Sequence, residues 1–238
     1  MRAGSESCEG GKGSERRCAA LLGLPNSDFI IPRLARRPPA RYTKHMRIIG
    51  GRAGGRILRV PKGMAVRPTP DLVKQAVFNS LGERVLGARV LELFAGSGAL
   101  SLESLSRGAA SAVCVEKAAK HAQFIRDNAA AIGAPAEALE VRVQDVFAAL
   151  PQLAAAARQF DLILADPPYG DKNVGRRSES LAQQLLDDLS LPGLLAPGGR
   201  FVLGHSKRDT LSRVPAWREV KLLKHGDSLM RFFEQGDG

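Results

Sequence analysis

The stretch ARVLELFAGSGALSLESL, residues 88–105, carries the pattern that decides the fold. Its first half is an apolar run with the length of a buried strand, and its second half reads as a helix. Gly96 and Gly98 lie between the two halves, where a sharp turn and a close backbone approach need residues without side chains. The stretch therefore predicts a strand, a glycine turn and a helix in succession.

The same alternation continues towards the C-terminus. Runs rich in Val, Ile and Leu predict strands at residues 88–94, 110–116, 139–143, 160–166 and 199–205. Helices are predicted between them, near residues 98–107, 118–131, 145–157 and 179–190. Strands separated by helices of this length pair in parallel, with both faces of the sheet covered. Two final runs, WREVKLLKHG and DSLMRFFEQ, predict an antiparallel pair, so we expect an α/β fold with a doubly wound, mostly parallel, seven-stranded sheet.

Positive charge is concentrated at the start of the chain. Residues 1–62 carry 14 Lys and Arg against 4 Asp and Glu, so almost all of the net charge of +11 lies there. Residues 1–44 are rich in Gly, Ser, Arg and Pro, and predict a disordered basic extension. This extension is either a solvated tail or a segment that is not translated, with synthesis starting at Met46.

Residues 45–66 predict a small basic β-hairpin. Two β-like runs, Arg47–Ile49 and Arg56–Val60, are separated by a glycine-rich turn that carries Arg52. A basic hairpin on a nearly neutral α/β body is typical of a grip on a nucleic acid. We therefore expect Arg47, Arg52 and Arg56 to contact RNA or DNA.

The main α/β domain is expected at residues 67–238. It begins with a helix whose apolar residues recur at helical spacing from Leu72 to Leu81. Thr69 or Asp71 can cap the start of this helix.

Acidic residues accompany three successive predicted strands. Glu92 lies on the first strand, Glu116 ends the second strand 20 residues after Gly96, and Asp145 follows the third. An acid at that spacing from the glycine turn binds the ribose hydroxyls of an adenosine, so NAD and S-adenosylmethionine both fit. Ser101 replaces the third glycine of a dinucleotide fingerprint, and an acidic crevice suits ammonium and sulfonium charges better than a pyrophosphate. Each acid taken singly also fits a helix N-cap.

The fourth predicted strand ends in ADPPYG, residues 165–170. Asp166 and the carbonyl group of Pro167 are acceptors that can hold an exocyclic amine, while proline adds no competing backbone donor. Tyr169 offers a ring on which a displaced base can stack. The structural alternative is a tight turn, for which Asp, Pro and Gly are common residues.

Other classes of protein are disfavoured. The three cysteines, Cys8, Cys18 and Cys114, are too scattered for a metal site, and Cys114 lies in an apolar run that predicts a buried thiol. The chain has no apolar run of about 18 residues, which a membrane helix requires. We expect a cytoplasmic protein without a bound metal.

Four motifs in order, LELFAGSGAL, VCVEK, QDVF and DPPYG, resemble the class I S-adenosylmethionine-dependent methyltransferases that act on exocyclic amines. RIIGGRAGGRILRVP followed by RPTPDLVKQAVFNSL resembles more narrowly the RsmD-type family, which methylates guanine N2 in small-subunit ribosomal RNA. This resemblance covers residues 46–235. It implies S-adenosylmethionine as cofactor and 16S ribosomal RNA as partner, in the small subunit or an assembly intermediate, with a monomeric enzyme.

The resemblance also implies roles for individual residues. The segment that closes over the cofactor is Arg67, Pro68 and Thr69, and Asp166, Pro167, Pro168 and Tyr169 form the catalytic motif. The remaining cofactor-binding residues are Glu92, Phe94, Ala95, Gly96, Ser97, Gly98, Glu116, Lys117, Asp145 and Val146. The basic hairpin with Arg47, Arg52 and Arg56 faces RNA.

One segment departs from the family pattern. The family commonly reads T-x-D-R-V-R-E in its first helix, whereas this chain has Leu72 in place of arginine and Gln75 in place of glutamate. These two substitutions bear on one inference from the resemblance, namely which nucleotide of the RNA is the target.

Three alternatives remain on the sequence alone. The first is an adenine-N6 or guanine-N2 methyltransferase that acts on another RNA or on DNA, because DPPY does not specify the base. The second is a non-catalytic nucleic-acid-binding protein with this fold, and the third is a nucleotide-dependent oxidoreductase. The retained acids Glu116 and Asp166 argue against the second, and Ser101 argues against the third.

Overall fold

The computed structural model describes residues 46–60, 70–169 and 177–236. All of them belong to one unit that spans Thr43–Gly238. The predicted extension 1–44 and the predicted cofactor residues Arg67, Pro68 and Thr69 lie outside the described residues.

Seven strands form one sheet in the order β3-β2-β1-β4-β5-β7-β6. Their bounds are β1 Arg89–Leu93, β2 Ser111–Glu116, β3 Leu139–Val143, β4 Phe160–Ala165, β5 Leu195–Ser206, β6 Trp217–His225 and β7 Ser228–Gln235. Neighbours from β3 to β5 are parallel, while β7 is antiparallel to both β5 and β6. The predicted doubly wound, mostly parallel α/β fold is confirmed.

The helices connect these strands and cover the sheet. Their bounds are α1 Asp71–Leu81, α2 Ala99–Ser106, α3 Ala119–Ala131, α4 Val146–Ala155, α5 Leu181–Asp187 and α6 Leu191–Leu194. The helix predicted near residues 179–190 is thus shorter, and a second helix follows it. Asp188 separates the two, because its Oδ1 accepts from the backbone N–H groups of Ser190 and Leu191 at 2.8 and 2.9 Å. Within the described ranges, no helix combines the length and apolarity needed to cross a lipid bilayer.

The start of α1 differs from the prediction. Pro70 occupies the N-cap position, and no side chain caps the helix there. Asp71 instead accepts from Nε of Arg47 at 2.8 Å. The predicted capping role of Asp71 is therefore wrong, since its carboxylate ties the first helix to the hairpin.

Alternation along the parallel strands supplies apolar side chains to both faces of the sheet. Val90 and Leu162 pack on one face with α1, α2 and the hairpin, while Leu91 and Ile163 pack on the other face with α4 and α5. All four side chains are fully or almost fully buried. Because both faces are covered, the ligand-accessible part of the sheet is its edge.

The predicted basic hairpin is present as a short antiparallel pairing. Arg47 bridges to Ile57, and Leu58 N–H donates to the Met46 carbonyl at 2.8 Å. Ile48 and Leu58 are buried against the core of the main domain. The hairpin is therefore fixed on the body of the protein by its apolar side chains.

Candidate active site

A cavity of about 570 Å³ opens at the carboxyl edge of the sheet, where β1, β2, β3 and β4 end. Parallel strands deliver their C-terminal residues to the same edge, so acids distant in sequence meet there. The predicted site residues that line the cavity are Glu92, Phe94, Ala95, Gly96, Ser97, Glu116, Lys117, Asp145, Val146, Asp166 and Pro168. The structure thus brings together the glycine turn, the three predicted cofactor acids and two residues of the predicted catalytic motif, whereas Pro167 and Tyr169 do not line the cavity.

The glycine turn between β1 and α2 needs left-handed backbone at several positions. Phe94, Gly96 and Gly98 have φ angles of 57°, 56° and 75°. A Cβ at Gly98 would lie 2.9 Å from Cγ2 of Ile125 on α3, and Gly98 does not line the cavity. Gly98 therefore allows α2 and α3 to pack closely, while Gly96 presents backbone to the cavity.

Glu92 is buried beneath the glycine turn with 3% exposure. Its Oε1 accepts from Leu100 N–H at 3.1 Å, and its Oε2 accepts from Ser101 N–H at 2.9 Å. Burial raises the pKa of Glu92 to about 7, although these hydrogen bonds favour the charged form. Glu92 therefore caps the first turn of α2 from the strand that precedes it.

Glu116 joins the end of β2 to two neighbouring turns. Its Oε2 accepts from Gly96 N–H at 2.8 Å, and its Oε1 accepts from Ala118 N–H at 2.9 Å. Nδ1 of His121 lies 3.4 Å from Oε1. Each carboxylate oxygen can accept more than one hydrogen bond, so Glu116 can hold the glycine turn and a ligand hydroxyl together.

Asp145 is the N-cap of α4, where its Oδ1 accepts from Phe147 N–H at 3.0 Å. Its side chain is 44% exposed, and its Oδ2 lies 3.3 Å from Nζ of Lys117. The aromatic rings of Phe94 and Phe147 meet edge to face, with centroids 6.2 Å apart. Glu92 and Asp145 thus combine helix capping with cavity lining, whereas Glu116 lines the cavity and holds the turns that precede α2 and α3. The helix-cap alternative therefore does not compete with the ligand-site interpretation.

The catalytic motif leaves β4 beside β5. Pro167 is buried, whereas Pro168 and Tyr169 are exposed, and the Oη of Tyr169 lies 2.7 Å from Oγ of Ser228. A Cβ at Gly204 on β5 would clash with Oδ1 of Asp166 and lie 3.1 Å from its Cγ. Gly204 therefore leaves the space that the Asp166 carboxylate occupies.

The basic hairpin contacts the glycine turn directly. Oγ of Ser97 donates to Sδ of Met46 at 2.9 Å, and Met46 itself lines the cavity. Asn128 on α3 accepts from Arg59 N–H at 2.7 Å and donates to the carbonyl groups of Arg59 and Ser97 at 3.0 and 3.2 Å. The hairpin and the cofactor turn are therefore held to each other by a buried amide.

The three predicted RNA-binding arginines lie on this hairpin, and all are exposed. Arg47 forms an ion pair with Asp71. Within the part of the chain that the structure describes, Arg52 and Arg56 take part in no ion pair. Their charges are the ones available to phosphate groups.

Sequence reasoning missed seven residues that line the cavity. They are Met46, Ala99, Leu100, His121, Phe147, Leu181 and Gln184. Ala99, Leu100 and Phe147 immediately follow predicted site residues, and their position in the first turn of a helix could have identified them. Met46, Leu181 and Gln184 reach the cavity only through tertiary contacts, for which the sequence has no local signal.

The described residues hold no group of three or more His, Cys, Asp or Glu side chains arranged to bind a metal ion. Cys114 is buried, as predicted, and burial raises the pKa of its thiol. It packs under the glycine turn with its Sγ 3.7 Å from Oε2 of Glu92.

Comparisons with known proteins show which family this chain resembles. A family model described as "Conserved hypothetical protein 95" matches residues 46–234. The ribosomal RNA small subunit methyltransferase D of Escherichia coli (strain K12) is 33% identical over 181 residues, or 76% of this chain and 85% of that protein. The protein of the same name from Haemophilus influenzae is 35% identical over 176 residues, or 74% and 86% of the two chains.

Solved structures share the fold. The structure of Escherichia coli yhhF matches with a TM-score of 0.68 and 30% identity, over 82% of this chain and 99% of that chain. An RNA methyltransferase from Salinibacter ruber in complex with S-adenosyl-L-homocysteine has a TM-score of 0.53 at 18% identity, over 72% and 95% of the two chains. The latter likeness concerns the fold alone.

The sheet order, the reversed β7 and the acidic cavity at the carboxyl edge define a class I methyltransferase. Within that class, the chain belongs to the RsmD-type family of ribosomal RNA small-subunit methyltransferases. The family predicted from the motifs is confirmed.

Proposed function

We propose that this protein transfers a methyl group from S-adenosylmethionine to the exocyclic N2 amine of a guanine in small-subunit ribosomal RNA. One observation carries the proposal: Glu92, Glu116 and Asp145, at the carboxyl ends of β1 to β3, line a single cavity together with Asp166 and Pro168 after β4. Membership of the RsmD-type family supports the choice of substrate.

The cavity fits the cofactor in size and chemistry. Its volume of about 570 Å³ lies in the range of small-molecule sites. In this proposal Glu116 accepts from the ribose hydroxyls and Asp145 from the adenine amine, beside the rings of Phe94 and Phe147 that also line the cavity. S-adenosylmethionine bound there supplies an electrophilic methyl group. Arg67, Pro68 and Thr69 are proposed to close over it, on the resemblance to the family alone.

The catalytic motif holds the nucleophile. The N2 amine of guanine is delocalised into the base, so acceptors that bind its N–H groups keep its nitrogen directed at the cavity. Asp166 and the Pro167 carbonyl are those acceptors, and Tyr169 stacks the extruded base. The amine becomes acidic only after it gains the methyl group, so Asp166 accepts the N–H hydrogen bond without first removing the proton. Positioning in a site with little water then supplies most of the rate enhancement.

The basic hairpin is proposed to grip the ribosomal RNA. Arg52 and Arg56 are exposed without ion pairs in the described ranges, and the hairpin contacts the cofactor turn through Met46. The partner is 16S ribosomal RNA in the small subunit or an assembly intermediate, and the enzyme acts as a monomer. Such a substrate places the protein in the cytoplasm.

Two measurements test this function. Calorimetry should show binding of S-adenosylhomocysteine and no binding of NAD, because the turn lacks a dinucleotide fingerprint; binding of NAD alone would contradict the proposal. Methylated nucleotides mapped in ribosomal RNA from a strain without the gene should show one missing N2-methylguanine. Loss of an adenine methyl group instead would favour the N6-adenine alternative.

A further inference from the structure

Ion pairs divide the cationic side chains of the described residues into two groups. Cations such as Arg89, Arg200 and Arg231 are held by a carboxylate. Exposed cations without such a partner include one set on the hairpin and a second set, far away in sequence, at Lys207, Arg208 and Lys224. Others are distributed over the remaining elements, namely Arg84, Lys120, Arg126, Arg213 and Lys221. An arginine or lysine that no acid neutralises retains its full attraction for a polyanion.

The second set meets at one corner of the sheet. Lys207 follows the end of β5, and its backbone N–H donates to the Asp227 carbonyl in the β6–β7 turn at 2.7 Å. Lys224 and His225 form the last two residues of β6, immediately before that turn. We name Lys207, Arg208, Lys224 and His225 the rim patch. Asp227 is the acid in the turn, and His225 adds positive charge only when it is protonated.

The rim patch adjoins the catalytic motif. Ser228 pairs with Ser206 on one side and His225 on the other, and its Oγ lies 2.7 Å from the Oη of Tyr169. On the same strand β5, two residues before Ser206, Gly204 leaves the space that the Asp166 carboxylate occupies. The patch therefore lies one side chain away from the residue that is proposed to stack the target base.

The order of strands places the two cationic regions on opposite sides of the catalytic motif. The motif follows β4, which lies between β1 and β5 in the sheet. The hairpin contacts Ser97 in the turn after β1, whereas the rim patch follows β5 and flanks the β6–β7 turn. An RNA strand that delivers a base to Asp166 can thus contact cations both before and after that base.

We propose that the rim patch is a second RNA-binding site, which binds the phosphodiester backbone beside the target nucleotide. Two separated contacts on one strand hold the nucleotide between them, which favours extrusion of its base into the catalytic motif. This inference rests on the proposed function, because it needs ribosomal RNA as the substrate. It adds a surface that no motif in the sequence identified.

The test compares two variants with equal loss of charge. Lys207→Gln with Arg208→Gln removes two charges from the rim patch. Arg84→Gln with Arg213→Gln removes two exposed charges that, in the described residues, likewise belong to no ion pair and that precede β1 and β6, away from the carboxyl edge. Binding of each full-length protein to a small-subunit ribosomal RNA transcript is measured over a range of salt concentrations, with S-adenosylhomocysteine calorimetry to verify folding.

The rim variant should bind the transcript more weakly, and the slope of log affinity against log salt should decrease by about 0.7 to 0.9 for each phosphate group that is no longer bound. The control variant should keep the wild-type slope. A rim variant with the wild-type slope would overturn the inference while the proposed function stands. A folded wild-type protein that methylates neither the transcript nor small subunits or assembly intermediates from a strain without the gene would instead overturn the proposed function and this inference with it.

Discussion

Two regions of the carboxyl edge of the sheet are positioned by different kinds of contact. The first, the cofactor half, contains the acids at the ends of β1, β2 and β3, and the second is the catalytic motif after β4. In the cofactor half, Glu92, Glu116 and Asp145 each accept hydrogen bonds from backbone N–H groups of the following turn or helix. The carboxylate of Asp166 lies instead in a space that exists because Gly204 has no side chain. The predicted ligand-binding acids of the first region also hold the fold together, whereas the second region depends on a fit between two strands.

The largest expected effect separates catalysis from cofactor binding. Asp166→Ala removes an acceptor for the target amine and leaves the glycine turn unchanged, so methyl transfer should fall by about 10³-fold. Binding of S-adenosylhomocysteine, measured by calorimetry, should stay within a few-fold of wild type. Retained turnover would show that Asp166 does not hold the amine.

The second prediction concerns the protonation of Glu92, which caps α2 and lines the cavity. Its pKa is about 7 in the folded protein against 4.5 for an ordinary glutamate, so the folded state retains a proton that the unfolded state has released. The free energy of unfolding should therefore fall as pH rises from about 4.5 to about 7, by about 3 kcal/mol in total.

Glu92→Gln removes this titration. Urea unfolding of both proteins at several pH values between 5 and 8 should give stability curves that converge or cross, because only the wild type loses stability with rising pH. Parallel curves would mean that Glu92 titrates normally in the folded protein.

The third prediction tests the fit between β4 and β5. Gly204→Ala should displace the Asp166 carboxylate and lower kcat on the order of 100-fold, because small displacements of a positioning group are costly. Binding of S-adenosylhomocysteine should not change. Gly193→Ala is the matched control, since a Cβ at Gly193 meets no atom within 4 Å. Equal kcat values for the two variants would show that Asp166 tolerates the extra methyl group.

The smallest effect is expected where the hairpin meets the cofactor half. Asn128→Ala removes the partner of two partly buried backbone groups of Arg59, so the free energy of unfolding should fall by about 1 to 3 kcal/mol. RNA affinity should fall as well, because the hairpin loses its attachment to α3. Gln123→Ala on the same helix is the control, since the side chain of Gln123 is exposed and donates to Oδ1 of Asp127 at 2.9 Å. A variant with wild-type RNA affinity would show that Asn128 does not position the hairpin.

Local patterns in the sequence predicted most of the fold. The strand runs and the glycine turn are read within about 20 residues, and parallel pairing follows from the helices between the strands. For the same reason Glu92, Glu116 and Asp145 could be assigned to one edge of the sheet from the sequence alone.

Contacts between distant segments could not be predicted in this way. In the sequence nothing distinguishes Gly204 from the other residues of β5. Its importance follows from the neighbouring strand β4, after which Asp166 lies against it. In the sequence Asn128 is one polar residue of α3 among several. Only the structure shows that it bonds to Arg59 and Ser97. Neither residue breaks a local pattern, so only the tertiary structure shows what they contact.

The identity of the methylated nucleoside is the sharpest test of the proposed function. The purified protein is incubated with methyl-labelled S-adenosylmethionine and with small ribosomal subunits and their assembly intermediates from a strain without the gene. The RNA is then extracted and digested, and its nucleosides are separated. We predict label in N2-methylguanosine alone, and loss of that label with Asp166→Ala. Label in N6-methyladenosine, or no label in RNA, would show that the protein does not methylate guanine N2.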